Sequence, residues 1–126
     1  MNYKFSQNVV KNTDFLNRLA RTKSNRIRHA LILEATPDQI LSIVEICANI
    51  LGSHFILNKQ QKNRLAKYAD YYRSIARSKS EKTARQKIYN GINQEGGQLA
   101  IATLLAPVLS TIAQSLLDKA FQETES

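Results

Sequence analysis

Apolar residues recur along this chain at helical spacing, and the residues between the runs are those that start and stop helices. In TPDQILSIVEICANIL, Ile40, Leu41, Ile43, Val44, Ile46, Cys47, Ile50 and Leu51 cover more than one narrow stripe. This predicts a helix over Pro37–Leu51 packed on most of its sides. Thr36 stands as its cap, Pro37 at its first position, Gln39 three residues after the cap, and Gly52 at its stop. Ahead of it, Thr13-Asp14-Phe15-Leu16 and Ser24-Asn25-Arg26-Ile27 each set a capping residue before a short periodic run, which predicts two short helices. Residues before Asn12 are expected to fray.

Downstream, LNKQQKNRLAKYADYYRSIARSK has a cap at Asn58, no Gly or Pro, and a clear helical period. Leu65, Tyr68, Ala69, Tyr72, Ile75 and Ala76 form its apolar side, so the expectation is one amphipathic basic helix. Tyr68 and Tyr72 are expected in the core, with Tyr71 at its edge. Ser80 then caps EKTARQKIYNG, a shorter helix with Ala84 and Ile88 inward and Asn90-Gly91 at its end. The last pattern, NQEGGQLAIATLLAPVLSTIAQSLL, contains Gly96-Gly97 and then no charged residue from 98 to 117. Gly96 and Gly97 read as a flexible joint, and Pro107 is expected to kink the following helix or divide it in two. Leu99, Ile101, Leu104, Leu105, Val108, Leu109, Ile112, Leu116 and Leu117 form a candidate apolar docking face.

Together these elements predict an all-α fold, a small bundle of about five or six helices ending in a Pro-kinked apolar one. Residues 1–91 form a basic helical domain, 92–97 a Gly-containing hinge, and 98–126 an apolar helical segment with a polar tail.

Charge changes the picture more than composition does. The 126 residues carry a formal charge of +8, and the basic stretch over residues 58–89 accounts for all of it. Lys59, Lys62, Arg64, Lys67, Arg73, Arg77, Lys79, Lys82, Arg85 and Lys87 stand there against only Asp70 and Glu81. A solvated Lys-rich surface is the plain reading. The near absence of opposite charges along the run favours phosphate binding instead. Arg18, Arg21, Lys23, Arg26 and Arg28 form a smaller patch that would extend the surface or serve as a weak nuclear-import signal.

Candidate chemistry is sparse. His29 and His54 stand in no ligand spacing with each other or with Cys47, so neither a metal nor another cofactor is expected. No phosphate loop or nucleophile motif is present, and Glu34, Asp38 and Glu45 read as capping or surface acids, so the expectation is a non-enzymatic protein. Cys47 reads as a small buried hydrophobe. The opening MNYKFSQNVVKNTDF lacks the apolar stretch of a secretory signal, which favours an intracellular setting. Residues 99–117 span about 28 Å as a helix, long enough in principle to cross a bilayer. Thr103, Ser110, Thr111, Gln114, Ser115 and Pro107 oppose that, leaving a buried or partner-bound helix, or one lying on a membrane surface, as alternatives.

The order of TPDQILSIVEICANIL, LNKQQKNRLAKY and NQEGGQLAIATLLAPVLSTIAQSLL resembles the small basic proteins of adenovirus-like elements. These are the Maverick/Polinton and adintovirus group, whose short proteins are compared with the adenovirus core protein X precursor. The resemblance implies a virion core or minor structural protein in the virion and host nucleus, binding double-stranded DNA without sequence preference. The basic residues over 59–87 would carry that role, and the apolar segment would dock on capsid protein, on itself or on a membrane surface. The region is less Arg-dense than the adenoviral peptide, so ordinary DNA association fits it better than condensation. The adenoviral precursors are cut at sites resembling an aliphatic residue, any residue, then Gly-Gly. Gln94 stands here in the aliphatic place before Glu95-Gly96-Gly97. A helical DNA-binding regulator, reading bases through Gln60, Gln61, Asn63 and Arg64, and a membrane-anchored interaction protein are the alternative functions.

Overall fold

A computed structural model describes residues 6–52, 57–93 and 97–125, with side chains described over 100–114 of the last helix. The fold is all-α. Among the described residues eight helices follow one another: α1 (Gln7–Lys11), α2 (Thr13–Arg21), α3 (Asn25–Glu34), α4 (Pro37–Leu51), α5 (Lys59–Ala66), α6 (Ala69–Ala76), α7 (Glu81–Asn93) and α8 (Gly97–Glu125). The count exceeds the expected five or six for two local reasons. Within the stretch ahead of Asn12 expected to fray, Gln7–Lys11 form α1, and residues 59–76 bend into two helices.

Helix α4 starts where its cap dictates. Thr36 Oγ1 accepts from the Gln39 N–H at 3.2 Å while the Thr36 N–H donates to Gln39 Oε1 at 2.9 Å, so two otherwise orphaned donors are satisfied. It stops at Gly52, whose N–H reaches the Ala48 carbonyl at 3.0 Å. Between these ends Ile40, Ile43, Ile46, Cys47 and Ile50 are buried, and α1, α6, α7 and α8 pack around them. Leu41, 42% exposed, marks the side left to solvent.

Helix α1 is held to the start of α4 by polar contacts as well as by buried Val9. The Ser6 hydroxyl caps it, accepting from the Val9 N–H, and donates to Glu45 Oε1 at 2.7 Å. Asn8 Nδ2 donates to the Asp38 carbonyl at 3.0 Å. These contacts supply what a single turn of helix lacks on its own.

Residues 59–76 divide at Lys67-Tyr68 because the two halves serve different neighbours. Helix α5 lies on α8 and buries Leu65, whereas α6 packs on α4 and α7 and buries Tyr72 and Ile75. Tyr72 alone of the three tyrosines is fully enclosed, and its hydroxyl donates to the Ala100 carbonyl at 2.6 Å, tying α6 to the first turns of α8. Tyr68 and Tyr71 are half-buried.

Helix α8 belongs to the core. Ala100, Ile101, Leu104, Leu105, Val108 and Ile112 are buried in the same cluster as Leu16 and Leu19 of α2, and α2 is its principal neighbour. The helix is not divided at Pro107. Proline in a helix interior costs about 3 kcal/mol through its missing N–H and ring clash. Buried Leu104, Leu105, Val108 and Ile112 on both sides of it offset that cost by packing.

Helix α7 likewise runs past Gly91, expected at its end, to Asn93. Gly91 is buried, and a Cβ there would run into the outer edge of the Tyr71 ring. Tyr71 is fixed in that position by its hydroxyl, which donates to the Ile88 carbonyl at 3.1 Å. Replacing Gly91 with Ala gains about 1 kcal/mol of helix propensity but overpacks at a cost of about 1–3 kcal/mol. Gly91→Ala is therefore expected to lower the urea midpoint at unchanged slope. In a Tyr71→Ala background, where the obstructing ring is gone, the same change is expected to raise it.

Candidate nucleic-acid interface

The basic stretch is built from α5, α6 and most of α7, with a turn between the last two. Helix α5 begins with a second reciprocal cap, in which the Gln61 N–H donates to Asn58 Oδ1 at 2.8 Å and the Asn58 N–H to Gln61 Oε1 at 3.0 Å. With only Leu65 buried and Gln61 half-buried, most of its surface is solvent-facing, and Lys59, Lys62, Arg64 and, just past its end, Lys67 are all exposed. Arg77 and Lys79 lie in the turn between α6 and α7, and Lys82 in the first turn of α7. These three are exposed as well. None of these seven cations has a protein partner among the described residues.

The other three candidates are engaged. Arg73 pairs with Asp70 at 2.7 Å on the surface, an exposed pair that adds little to stability. Lys87 Nζ donates to the Ser74 carbonyl at 2.9 Å, near the end of α6. Arg85 reaches across to α3, where one guanidinium nitrogen donates to the carbonyls of Ile32 and Ala35, each at 2.7 Å. Its other nitrogen pairs with Glu81 one turn earlier on α7. The side chain thus closes the carboxyl end of α3 with a cation, where unsatisfied carbonyls and the helix dipole favour one. Sequence reasoning placed Arg85 and Lys87 among the phosphate contacts; their backbone partners, remote in sequence, gave no periodic signal. The Glu81-Arg85 spacing of i,i+4 was the available clue.

The smaller basic patch divides in the same way. Arg18, Arg21, Lys23 and Arg26 are exposed, while Arg28 is 5% exposed and donates to Asn25 Oδ1 at 3.0 Å and to the Thr22 carbonyl. Burial lowers the pKa of its guanidinium. Arg28 therefore holds the turn between α2 and α3.

Other sequence candidates take structural roles. Of the apolar docking set, Ile101, Leu104, Leu105, Val108 and Ile112 are buried within the chain's own core and Leu109 is half-buried against it, so these six do not form a detached docking face. The side chains of Leu99, Leu116 and Leu117 lie outside the described residues, as does Gly96, while Gly97 is the first residue of α8. The Gln94-Glu95-Gly96 part of the cleavage-like sequence and His54 also lie outside them. His29 stacks on Tyr89 with ring centroids 4.3 Å apart, between α3 and α7. Cys47 is buried, and the loss of solvation pushes its thiol well above the usual range. Among the described residues no group of three or more His, Cys, Asp or Glu side chains could hold a metal ion. No helix among them is long and apolar enough to cross a membrane.

The division between engaged and unengaged cations has a direct consequence. Arg85→Gln should lower the melting temperature, since it removes charged hydrogen bonds worth about 1.5–3 kcal/mol each from a partly buried site. Lys59→Gln and Lys62→Gln, on open surface, should stay within about 0.5 kcal/mol of the parent in the same thermal unfolding series.

No family model matches the chain, and no curated protein or solved structure matches it.

Proposed function

We propose that this protein is a non-enzymatic basic protein that binds double-stranded DNA through its phosphates, without reading sequence. The observation that carries this reading is the set of seven exposed cations, without a partner among the described residues, on and just after α5 and around the α6–α7 turn: Lys59, Lys62, Arg64, Lys67, Arg77, Lys79 and Lys82. Like charges held at this density repel one another, and a polyanion relieves that repulsion while counterions are released from the phosphates. The exposed Arg18, Arg21, Lys23 and Arg26 add to the same field. The resemblance to adenovirus-like elements supports a place in the virion and host nucleus.

A membrane-surface role would need an apolar face turned outward. The described apolar face of α8 is enclosed by its own chain, so charge rather than apolar surface favours the DNA reading.

Titration of the full chain against random-sequence duplex DNA across a salt series tests it. Seven neutralised phosphates correspond to a slope of log affinity on log salt near about −6, at roughly −0.9 per contact. The triple variant Lys59→Gln/Lys62→Gln/Lys67→Gln should fold normally and reduce that slope by about 3. An affinity that does not change between about 50 and 200 mM salt would overturn the proposal.

A further inference from the structure

Helices α5 and α8 do not close fully on one another. Between them is a cleft of about 240 Å³, with Leu65, Ala102, Ala106 and Pro107 as its apolar part and Gln61, Arg64 and Thr103 as its polar part. The small residues of α8 leave this space open: Ala102 and Ala106 stand one turn apart, where larger side chains would fill it. Its volume is below the roughly 300–1,000 Å³ of pockets that enclose drug-sized molecules, so it suits one small flat group.

Its polar groups are of complementary kinds. Thr103, half-buried on the α8 wall, brings a hydroxyl, which can donate or accept. Gln61 supplies a donor of fixed identity: its Oε1 is engaged by the Asn58 N–H, so its NH₂ group is the part left for the cleft. Arg64, exposed and without a partner among the described residues, adds a planar cation that can lie over a π-system. Lys59 and Lys62 are exposed on the same helix, and Lys67 just past its end.

We infer that the α5–α8 cleft receives a nucleobase from a single-stranded nucleic acid whose phosphates run along the cations of α5. A flat heteroaromatic ring fits the apolar walls, and its edge offers both donors and acceptors to the Thr103 hydroxyl and the Gln61 amide. The neighbouring cations make a base, tethered to phosphates on both sides, the fitting occupant over a free apolar molecule. A paired base in a duplex cannot enter, because it is held in the stack by its partner. The site therefore turns phosphate attraction, which ignores base pairing, into a preference for unpaired strands. It rests on the phosphate-binding reading given above.

The test compares an oligothymidylate with an abasic strand having the same number of phosphates, each titrated with the full chain at one salt concentration. The base-bearing strand should bind about 10-fold more tightly, the range seen for one base held by a protein. Ala106→Leu, at an exposed position of α8, should fill the cleft and abolish that ratio while leaving the salt slope unchanged. Equal binding of the two strands by the parent protein would overturn the inference and leave phosphate binding standing. So would a ratio that survives Ala106→Leu, since bases would then be held elsewhere. Absence of salt-sensitive binding to either strand would remove both readings together. The parent comparison needs no variant to fold, and circular dichroism establishes whether Ala106→Leu does.

Discussion

Removing α4 from water is the constraint on which the fold turns. Its buried Ile, Cys and Ile side chains occupy several sides of one cylinder, so no single neighbour can cover them. Four helices do so together, α1, α6, α7 and α8. The dependence is mutual, because helices of one to three turns are marginal on their own and gain most of their stability from docking. Helix α1, with five residues, is the extreme case, held by one buried valine and by hydrogen bonds to groups on α4. Helices α2, α3 and α5 are attached at one remove, α2 and α5 on α8 and α3 on α7.

Where several local signals coincided, the sequence was a sufficient guide. Thr36, Pro37, Gln39 and Gly52 define α4 by chemistry that acts within a turn of itself, and the helix occupies the range they mark. The failures share a different cause. The break at Lys67-Tyr68 arises because α5 and α6 have different neighbours, and helical periodicity records an apolar face without naming what covers it. The same ambiguity affected Ile101, Leu104 and Leu105, whose pattern is equally that of a docking surface and of a core helix. Gly91 was read as a stop from its local role, whereas its position under the Tyr71 ring is a matter of tertiary approach. For the basic stretch, the total charge was legible but its division was not. Arg85 and Lys87 are distinguished from Lys59 and Lys62 by carbonyls contributed from other helices.

Two kinds of basic residue therefore coexist in one segment. Those over backbone carbonyls act as fasteners between helices: Arg85 joins α7 to α3, and Lys87 joins α7 to α6. Apart from Arg73, paired with Asp70, the others keep their charge available to solvent and to any anion. Since α5 has only one buried residue of its own, the orientation of its cations depends on α8, whose apolar face is fixed elsewhere against α2 and tied to α6 through Tyr72. A substitution deep in the α2–α8 contact can thus alter the surface without touching a charge.

Cys47 is the chain's single cysteine, enclosed on every side by the helices around α4. Its thiolate is disfavoured there, so the native sulfur competes poorly for electrophiles while the fold is intact. A cysteine introduced on the open surface of α5 would then be the only readily alkylated position. A fluorophore or spin label could be attached to that helix alone, without first removing the natural thiol or disturbing the packing around it.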